Sequence, residues 1–402
     1  MRRRVVVTGL GPLSSVGIGV SAFSAALREG KHAIAPIESF DPVGFPHHMA
    51  GELRDFQAKD HLQRIDPEQW GPASRFAAAA ARLAVTDSGI SAQQLAGSGA
   101  GTVVGTTSGE SQVLERMAPA WIDEGPQALD PARIRLIPSY RMAVAVNREL
   151  GLQGEAVTIA TACSASNYAI GYAYDAIRSG DSDVMFAGGA DAMCRFAVAG
   201  FYRLGALTKE ACSPFDAARS GILIGEGGAV LMLESLDSAR ARDARIYAEV
   251  LGYGLNCDAG HMVSPNAESI ADCMRRAHAN AGVTAADIDY ISAHGTGTPA
   301  NDTMEGRAVR EVFGDSPPPI SSIKSMLGHT MGAASCFGAI ASVLAIAEGF
   351  LPPTINHGAI DPELAGFDVV PNVARVAQPE VVQNNGFAFG GNNAITILGK
   401  VA

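Results

Sequence analysis

Three residues far apart in the chain carry groups that together can run acyl chemistry: a thiol at Cys163 and imidazoles at His294 and His329. A cysteine attacks a carbonyl carbon as its thiolate, and the step needs an imidazole nearby and donors for the negative charge that develops on oxygen. Cys163 sits in EAVTIATACSASNYAIGYAYDAIRSG, residues 155–180. Val157-Thr158-Ile159-Ala160 reads as a short buried strand, 161–164 as a tight turn, and 165–177 as a helix of small and apolar residues. That places the thiol where a strand hands over to a helix. Unpaired N–H groups and the positive end of the helix macrodipole then favour the anion, so the expectation is a thiol inclined towards thiolate. The alternative is a small core residue, since free cysteine is among the most buried types.

Each histidine also follows a strand signal. His294 lies in AHGTGTP, 293–299, directly after a strand expected over 287–293, and His329 lies in SMLGH, 325–329, between a strand over 319–324 and a helix over 331–348. Taken alone, either imidazole reads most simply as capped or buried. Taken with a cysteine at a helix start, the pair points to nucleophilic catalysis.

The elements that must bring these three together come from a chain that repeats itself. The first half opens with a strand, RVVVTGLG over 4–11, followed by helices over 21–30 and 71–89, a strand over 101–106, the Cys163 unit, and a strand over 183–190 ending on paired glycines. The second half opens with AEVLGYG over 248–254, echoing that first strand and its glycine pair. It continues with a helix over 270–281, the two histidine units, and NNGFAFGGNNAITIL over 384–398. Two βαβ-flavoured halves imply two sheets with helices between and outside. The segment 231–245, LMLESLDSARARDAR, reads as a charged linker, which sets the expected halves at 1–242 and 243–402.

Composition restricts the function classes. With 402 residues and 47% hydrophobic content the chain can bury a large core, and its net charge of −11 argues against an electrostatic nucleic-acid binder. Six cysteines without framework spacing suit a reducing compartment, so a cytoplasmic enzyme is expected. Met1-Arg2-Arg3-Arg4 before Val5-Val6-Val7 looks like a secretory start, but Thr8-Gly9 ends the apolar run before an h-region forms. The apolar segment 333–347 is shorter than a membrane span and reads as a buried helix. Gly9-Leu10-Gly11 lacks the remainder of a dinucleotide fingerprint, and Cys257-x3-His261 with Cys273-x4-His278 makes no four-ligand zinc spacing; no metal is expected.

Four motifs in order, TACSASNYAIG, AHGTGTPANDTMEG, SIKSMLGHTMGAAS and NNGFAFGGNNA, resemble those of the β-ketoacyl-[acyl-carrier-protein] synthases, over nearly the whole chain. The resemblance implies an α/β, thiolase-like, duplicated α-β-α-β-α fold of five layers with two pseudo-symmetric halves. It also implies a homodimer, or a heterodimer with a paralogous ketosynthase-like subunit. Acyl carrier protein is the implied partner, its phosphopantetheine arm bringing the substrates, with no cofactor held by the enzyme itself. Cys163 would carry the acyl group, and His294 and His329 would hold the enolate formed when a malonyl thioester loses carbon dioxide. The N–H groups of Cys163 and Phe389 would form the oxyanion hole, Phe389 with Phe201 a gate, Lys324 with Glu305 a supporting charge pair, and Thr296 with Thr298 hydrogen-bond partners of the arm. Relatives floor the acyl pocket with the helix carrying Leu114 and Met117.

The chain departs from the family pattern at Arg219-Ser220-Gly221-Ile222-Leu223, at Gly205, Gly260 and Val263, and at Asn392 in AFGGNN. These positions belong to the arm's entrance, so a dedicated carrier or a specialised pathway is expected. Two alternatives remain at this stage: a non-elongating acyltransferase of the same fold, and a chain-length-factor-like partner, which would lack the nucleophile. A degradative thiolase would carry a second cysteine near the C-terminus, and none follows Cys336.

Overall fold

The computed structural model describes residues 3–209 and 211–402. Met1 and Arg2, part of the secretory-looking start, lie outside the described residues. Arg3 pairs with Asp183 at 2.7 Å, and the apolar run after it enters the middle of a sheet.

In the first half the strands are β1 (Val5–Ser14), β2 (Gly101–Gly105), β3 (Ala156–Ile159), β4 (Val184–Asp191) and β5 (Gly227–Ser235). In the second they are β6 (Ala248–Cys257), β7 (Tyr290–Ser292), β8 (Ile320–Ser321), β9 (Val381–Phe387) and β10 (Asn392–Gly399). The spatial order β8-β7-β9-β10-β6-β1-β5-β4-β2-β3 is one arrangement used twice, third-second-fourth-fifth-first in each half. Parallel and antiparallel pairings match as well. The second strand of each half runs parallel to the third and fourth, and the fifth is antiparallel to the fourth and first.

The two expected sheets are in fact continuous. Val5–Val7 pair antiparallel with Ala248–Val250, so the halves share one edge and form, with the short strand Gly17–Ile18, an eleven-stranded sheet among the described residues. The glycine pairs opening each half have a packing reason. A Cβ at Gly11 would lie 1.9 Å from the Ala80 carbonyl oxygen, and one at Gly254 would lie 2.5 Å from that of Cys273. Each pair thus seats an outer helix, α1 (Pro72–Ser88) or α3 (Ala267–Ala281), directly on its strand. Between the half-sheets lie α2 (Ala165–Ser179) and α4 (Ala334–Glu348), each touching strands of both halves, which gives the helix–sheet–helix–sheet–helix layering.

The pseudo-two-fold runs between α2 and α4. Ser166 Oγ meets Ser335 Oγ at 2.9 Å, 169 residues apart in sequence. Ser335 Oγ accepts the N–H of Asn167 at 3.1 Å and Ser166 Oγ accepts that of Cys336 at 2.9 Å, the same bond made in both directions. Helix α4 is buried almost all round; with its leading turn, Met331–Glu348 is long and apolar enough to span a membrane, but 89% of it is covered by protein. Burying such side chains supplies roughly 1.5–3 kcal/mol each before entropy is counted.

The linker-like reading of 231–245 is corrected. Residues 231–235 finish the buried strand β5, and only Leu236–Ala241 forms a short helix. The charge that suggested a linker, Glu234, is fully buried and neutralised by Arg242 at 2.8 Å, with Thr8 donating at 2.9 Å. Phe201, expected as a gate residue, lies on the helix Arg195–Arg203.

Candidate active site

Strand β3 ends at Ile159, and the chain enters a tight 3-10 turn, Ala162–Ser164, before α2. Ala162 takes φ 52°, a left-handed conformation that costs a non-glycine residue on the order of 1–2 kcal/mol. The counterpart turn, Met331–Ala333, has Met331 at φ 52°. The residue symmetry-related to Cys163 is therefore Gly332; His329 enters three residues earlier, on the loop that leads into that turn.

Cys163, His294 and His329 line one cavity of about 330 Å³, together with Phe201, Phe389, Thr296 and Thr298. The two imidazole centroids are 5.6 Å apart, with ring planes at 83°. Phe201 faces His329 at 6.2 Å and Phe389 at 5.8 Å, so the two expected gate rings touch across the cavity. Thr296 Oγ1 and Thr298 Oγ1 are 2.9 Å apart. A larger groove of about 850 Å³, bordered by Asp87, Arg245, Tyr247 and Glu348, contains none of these side chains.

Both imidazoles are held neutral. Burial, then Lys324, then His329 push His294 well below the ordinary histidine value, and burial followed by Lys324 does the same to His329. The N–H of Met331 donates to Nδ1 of His329 at 3.2 Å, so the neutral ring carries its proton on Nε2.

The thiol departs from expectation. Burial pushes Cys163 up to about 12, with Asp191 adding to the rise while Lys324 opposes it. Cys163 therefore rests as a neutral thiol, because loss of water outweighs the favourable potential of the turn.

Lys324 and Glu305 attract each other as charges without a direct ion pair among the described residues. They hold His294 from two sides instead. Lys324 Nζ donates to the His294 carbonyl oxygen at 2.5 Å, and Glu305 accepts the N–H groups of His294 at 2.8 Å and Gly295 at 2.7 Å, plus Asn385 Nδ2 at 2.9 Å. Burial lowers the lysine and raises the glutamate, and their mutual attraction works against the first of these shifts.

Three residues at the site escaped the sequence reading. Asp302 accepts the N–H groups of Thr296, Gly297 and Phe215 at 3.0, 3.2 and 2.8 Å. With Glu305 it forms an i, i+3 acid pair at the start of the helix Pro299–Phe313, a signal legible in ANDTMEG. Asn385 joins Glu305. Asp191, closing β4, ties Thr106, Thr107, Ser108 and Gly332 together, and nothing local in DVMFAGGAD marks it. The departures at Gly205, Ile222 and Val263 line the cavity, whereas Gly260, Leu114 and Met117 do not. Of the histidines weighed for metal, His278 Nε2 is engaged by Gln383 at 2.7 Å, and Cys273 donates to the Gly254 carbonyl.

A doubled α/β fold with a helix-start cysteine and two buried histidines at the junction of its halves defines the thiolase-like class. Within it, the family models for the N-terminal and C-terminal domains of beta-ketoacyl synthase match residues 2–239 and 247–357. The chain belongs to the β-ketoacyl synthase family. It is 37% identical over 414 residues to 3-oxoacyl-[acyl-carrier-protein] synthase 2 of Coxiella burnetii (strain RSA 493 / Nine Mile phase I), covering 100% of this chain and 99% of the relative. Among solved structures it superposes on the ishigamide ketosynthase/chain length factor with TM-score 0.98, 50% identity and 100% of both chains covered. It also superposes, with TM-score 0.92, 29% identity and full coverage of both chains, on a complex of a type II polyketide synthase acyl-carrier protein with its ketosynthase bound to the hexaketide.

Proposed function

We propose that this chain condenses an acyl group held on Cys163 with malonyl-[acyl-carrier-protein], releasing carbon dioxide and 3-oxoacyl-[acyl-carrier-protein], in fatty-acid or polyketide synthesis. The observation that carries this is the single cavity lined by Cys163, His294 and His329. In the first half-reaction sulfur attacks the acyl thioester, a new C–S bond replaces the old one, and the proton lost by Cys163 ends on the released arm thiol. The N–H groups of Cys163 and Phe389 take the oxyanion. In the second, the malonyl thioester loses carbon dioxide and its enolate oxygen is held by His294 and by Nε2–H of His329. The enolate carbon attacks the acyl carbonyl, and Cys163 leaves as thiolate and regains a proton from solvent.

Neutral imidazoles suit this role because they donate without already being charged, and Lys324 adds positive potential as the enolate forms. Lys324 and Glu305 act by fixing the His294 loop between them. Thr296 and Thr298 face the arm, and Phe201 with Phe389 closes the cavity until Cys163 is acylated. On this reading the enzyme needs no cofactor of its own, works in the cytoplasm, and divides at 242/243. Strand β3 is an open sheet edge, and Tyr140 beside it is exposed, as are Trp121 and Ile122 on the helix Ser111–Glu124. Such a surface fits a dimer with a second copy or a paralogous subunit.

The test is intact-mass analysis after incubation with a panel of acyl-carrier thioesters, followed by addition of malonyl-carrier. An acyl mass on Cys163 that converts to 3-oxoacyl product supports the reading. No acyl mass with any thioester would favour the chain-length-factor-like alternative, and acylation followed by release without chain extension would favour the non-elongating acyltransferase.

A further inference from the structure

Thr107 follows strand β2 on a loop wedged against both symmetry-related turns. At the strand's end, a Cβ on Gly105 would lie 2.5 Å from the Ala165 carbonyl carbon, in the first turn of the Cys163 helix. On the other side, a Cβ on Gly332 would lie 2.5 Å from the Thr106 Cα. Asp191 pins the loop: it accepts the Thr106 hydroxyl, the N–H of Thr107 and the N–H of Ser108 at 2.8 Å each, and the N–H of Gly332 at 2.7 Å.

With its backbone fixed and its β-branched side chain stiff, Thr107 holds its hydroxyl in one place. That hydroxyl is buried and has no hydrogen-bond partner among the described residues. A buried hydroxyl left unpaired costs about 1–3 kcal/mol, so a group within its reach is needed to accept its proton. The Cys163 sulfur is within that reach: burial opposes its anion most, Lys324 favours it, Asp191 opposes it, and its own backbone N–H and then the Thr107 hydroxyl favour it. His294 and His329 face the same cavity and are neutral.

We propose that Thr107 is a hydrogen-bond donor to the Cys163 thiolate. Its hydroxyl pairs with sulfur as the thiol loses its proton to attack the acyl thioester, and again when condensation expels sulfur from the acyl carbon. Asp191 positions it without touching sulfur. The inference rests on Cys163 being the nucleophile of the proposed reaction.

The experiment compares Thr107→Val, Thr107→Ala and Thr107→Ser with the wild type by the rate of Cys163 alkylation with iodoacetamide at pH 8, located by peptide mass, and by the rate of acyl loading. A hydrogen bond to an ionised group sets the scale: alkylation and loading should both fall about tenfold in the Val and Ala variants. Thr107→Ser should stay within about threefold of wild type, because it keeps the donor. Equal alkylation in the Val or Ala variant and wild type overturns the proposal. So does an equal fall in Thr107→Ser, which would trace the effect to shape. Alkylation at Cys163 with no acyl loading in the wild type sinks the proposed function instead, and leaves the Thr107 comparison readable by alkylation alone.

Discussion

A thiol pushed up to about 12 reacts through a small thiolate fraction at neutral pH, and that fraction grows with every step in alkalinity. The sign follows directly: burial disfavours the charged form, so deprotonation comes only well above the ordinary thiol range. Iodoacetamide alkylation of Cys163 should rise about tenfold per pH unit from 7 to 9 without levelling, measured by peptide mass. A plateau below pH 9 would show a thiolate already present in the resting site. On the proposed mechanism the two histidines act in the second half-reaction. His329→Ala should leave acyl loading of Cys163 nearly intact while lowering 3-oxoacyl formation by about 100- to 1000-fold, the usual cost of one oxyanion donor. Single-turnover assays separate the two steps.

At the scale of elements, the site depends on loops held by buried acids at strand and helix ends. Glu305 takes two consecutive N–H groups of the His294 loop, and Glu305→Ala would leave both without acceptors in a dry interior. That variant should lose about 2–5 kcal/mol in urea unfolding, with condensation failing as His294 drifts. The central helices are locked by the reciprocal serine bonds, so Ser166→Ala and Ser335→Ala should each destabilise by about 1–3 kcal/mol. The double variant should cost less than the sum by about 0.5 kcal/mol or more, since both remove one network. Strict additivity would mean the two helices are held by packing alone.

At the scale of the molecule, one topology repeated along a shared sheet edge puts the nucleophile's turn and the histidine loop on either side of an approximate two-fold. The active cavity therefore sits at the junction of the halves, where neither half alone could assemble it. Its mouth is where this chain departs from its family: Gly205, Ile222 and Val263 line the cavity, and exposed Leu204 and Met262 border it. Gly205 stands where many relatives carry an arginine, Ile222 for an aromatic and Val263 for a threonine, so the expectation is a carrier selected by shape and apolar contact. Turnover with a generic fatty-acid carrier should be at least tenfold below that with a cognate one, compared as kcat/KM; equal values for both carriers would count against this.

The local alphabet of this chain was enough to single out three side chains that share one cavity. A strand-turn-helix around Cys163, glycine-rich turns after strands at His294 and His329, and the opening glycine pairs all reflect steric and hydrogen-bond rules that act within a few residues. Helix α1 could be read from its two flanking glycines, and α2 and α4 from their small apolar runs. Tertiary structure alone decided what depends on distant neighbours. Desolvation by both halves keeps Cys163 protonated against the pull of its own helix. Arg242 and Thr8 turn the charge of Glu234 into strand interior, where the sequence suggested a linker. Lys324 and Glu305, expected as a supporting charge pair, meet at His294, one on its carbonyl oxygen and the other on its N–H. Asp191 became visible only as the carboxylate joining two turns from opposite halves, because a buried charge is defined by the N–H groups that surround it, and those come from elsewhere in the chain.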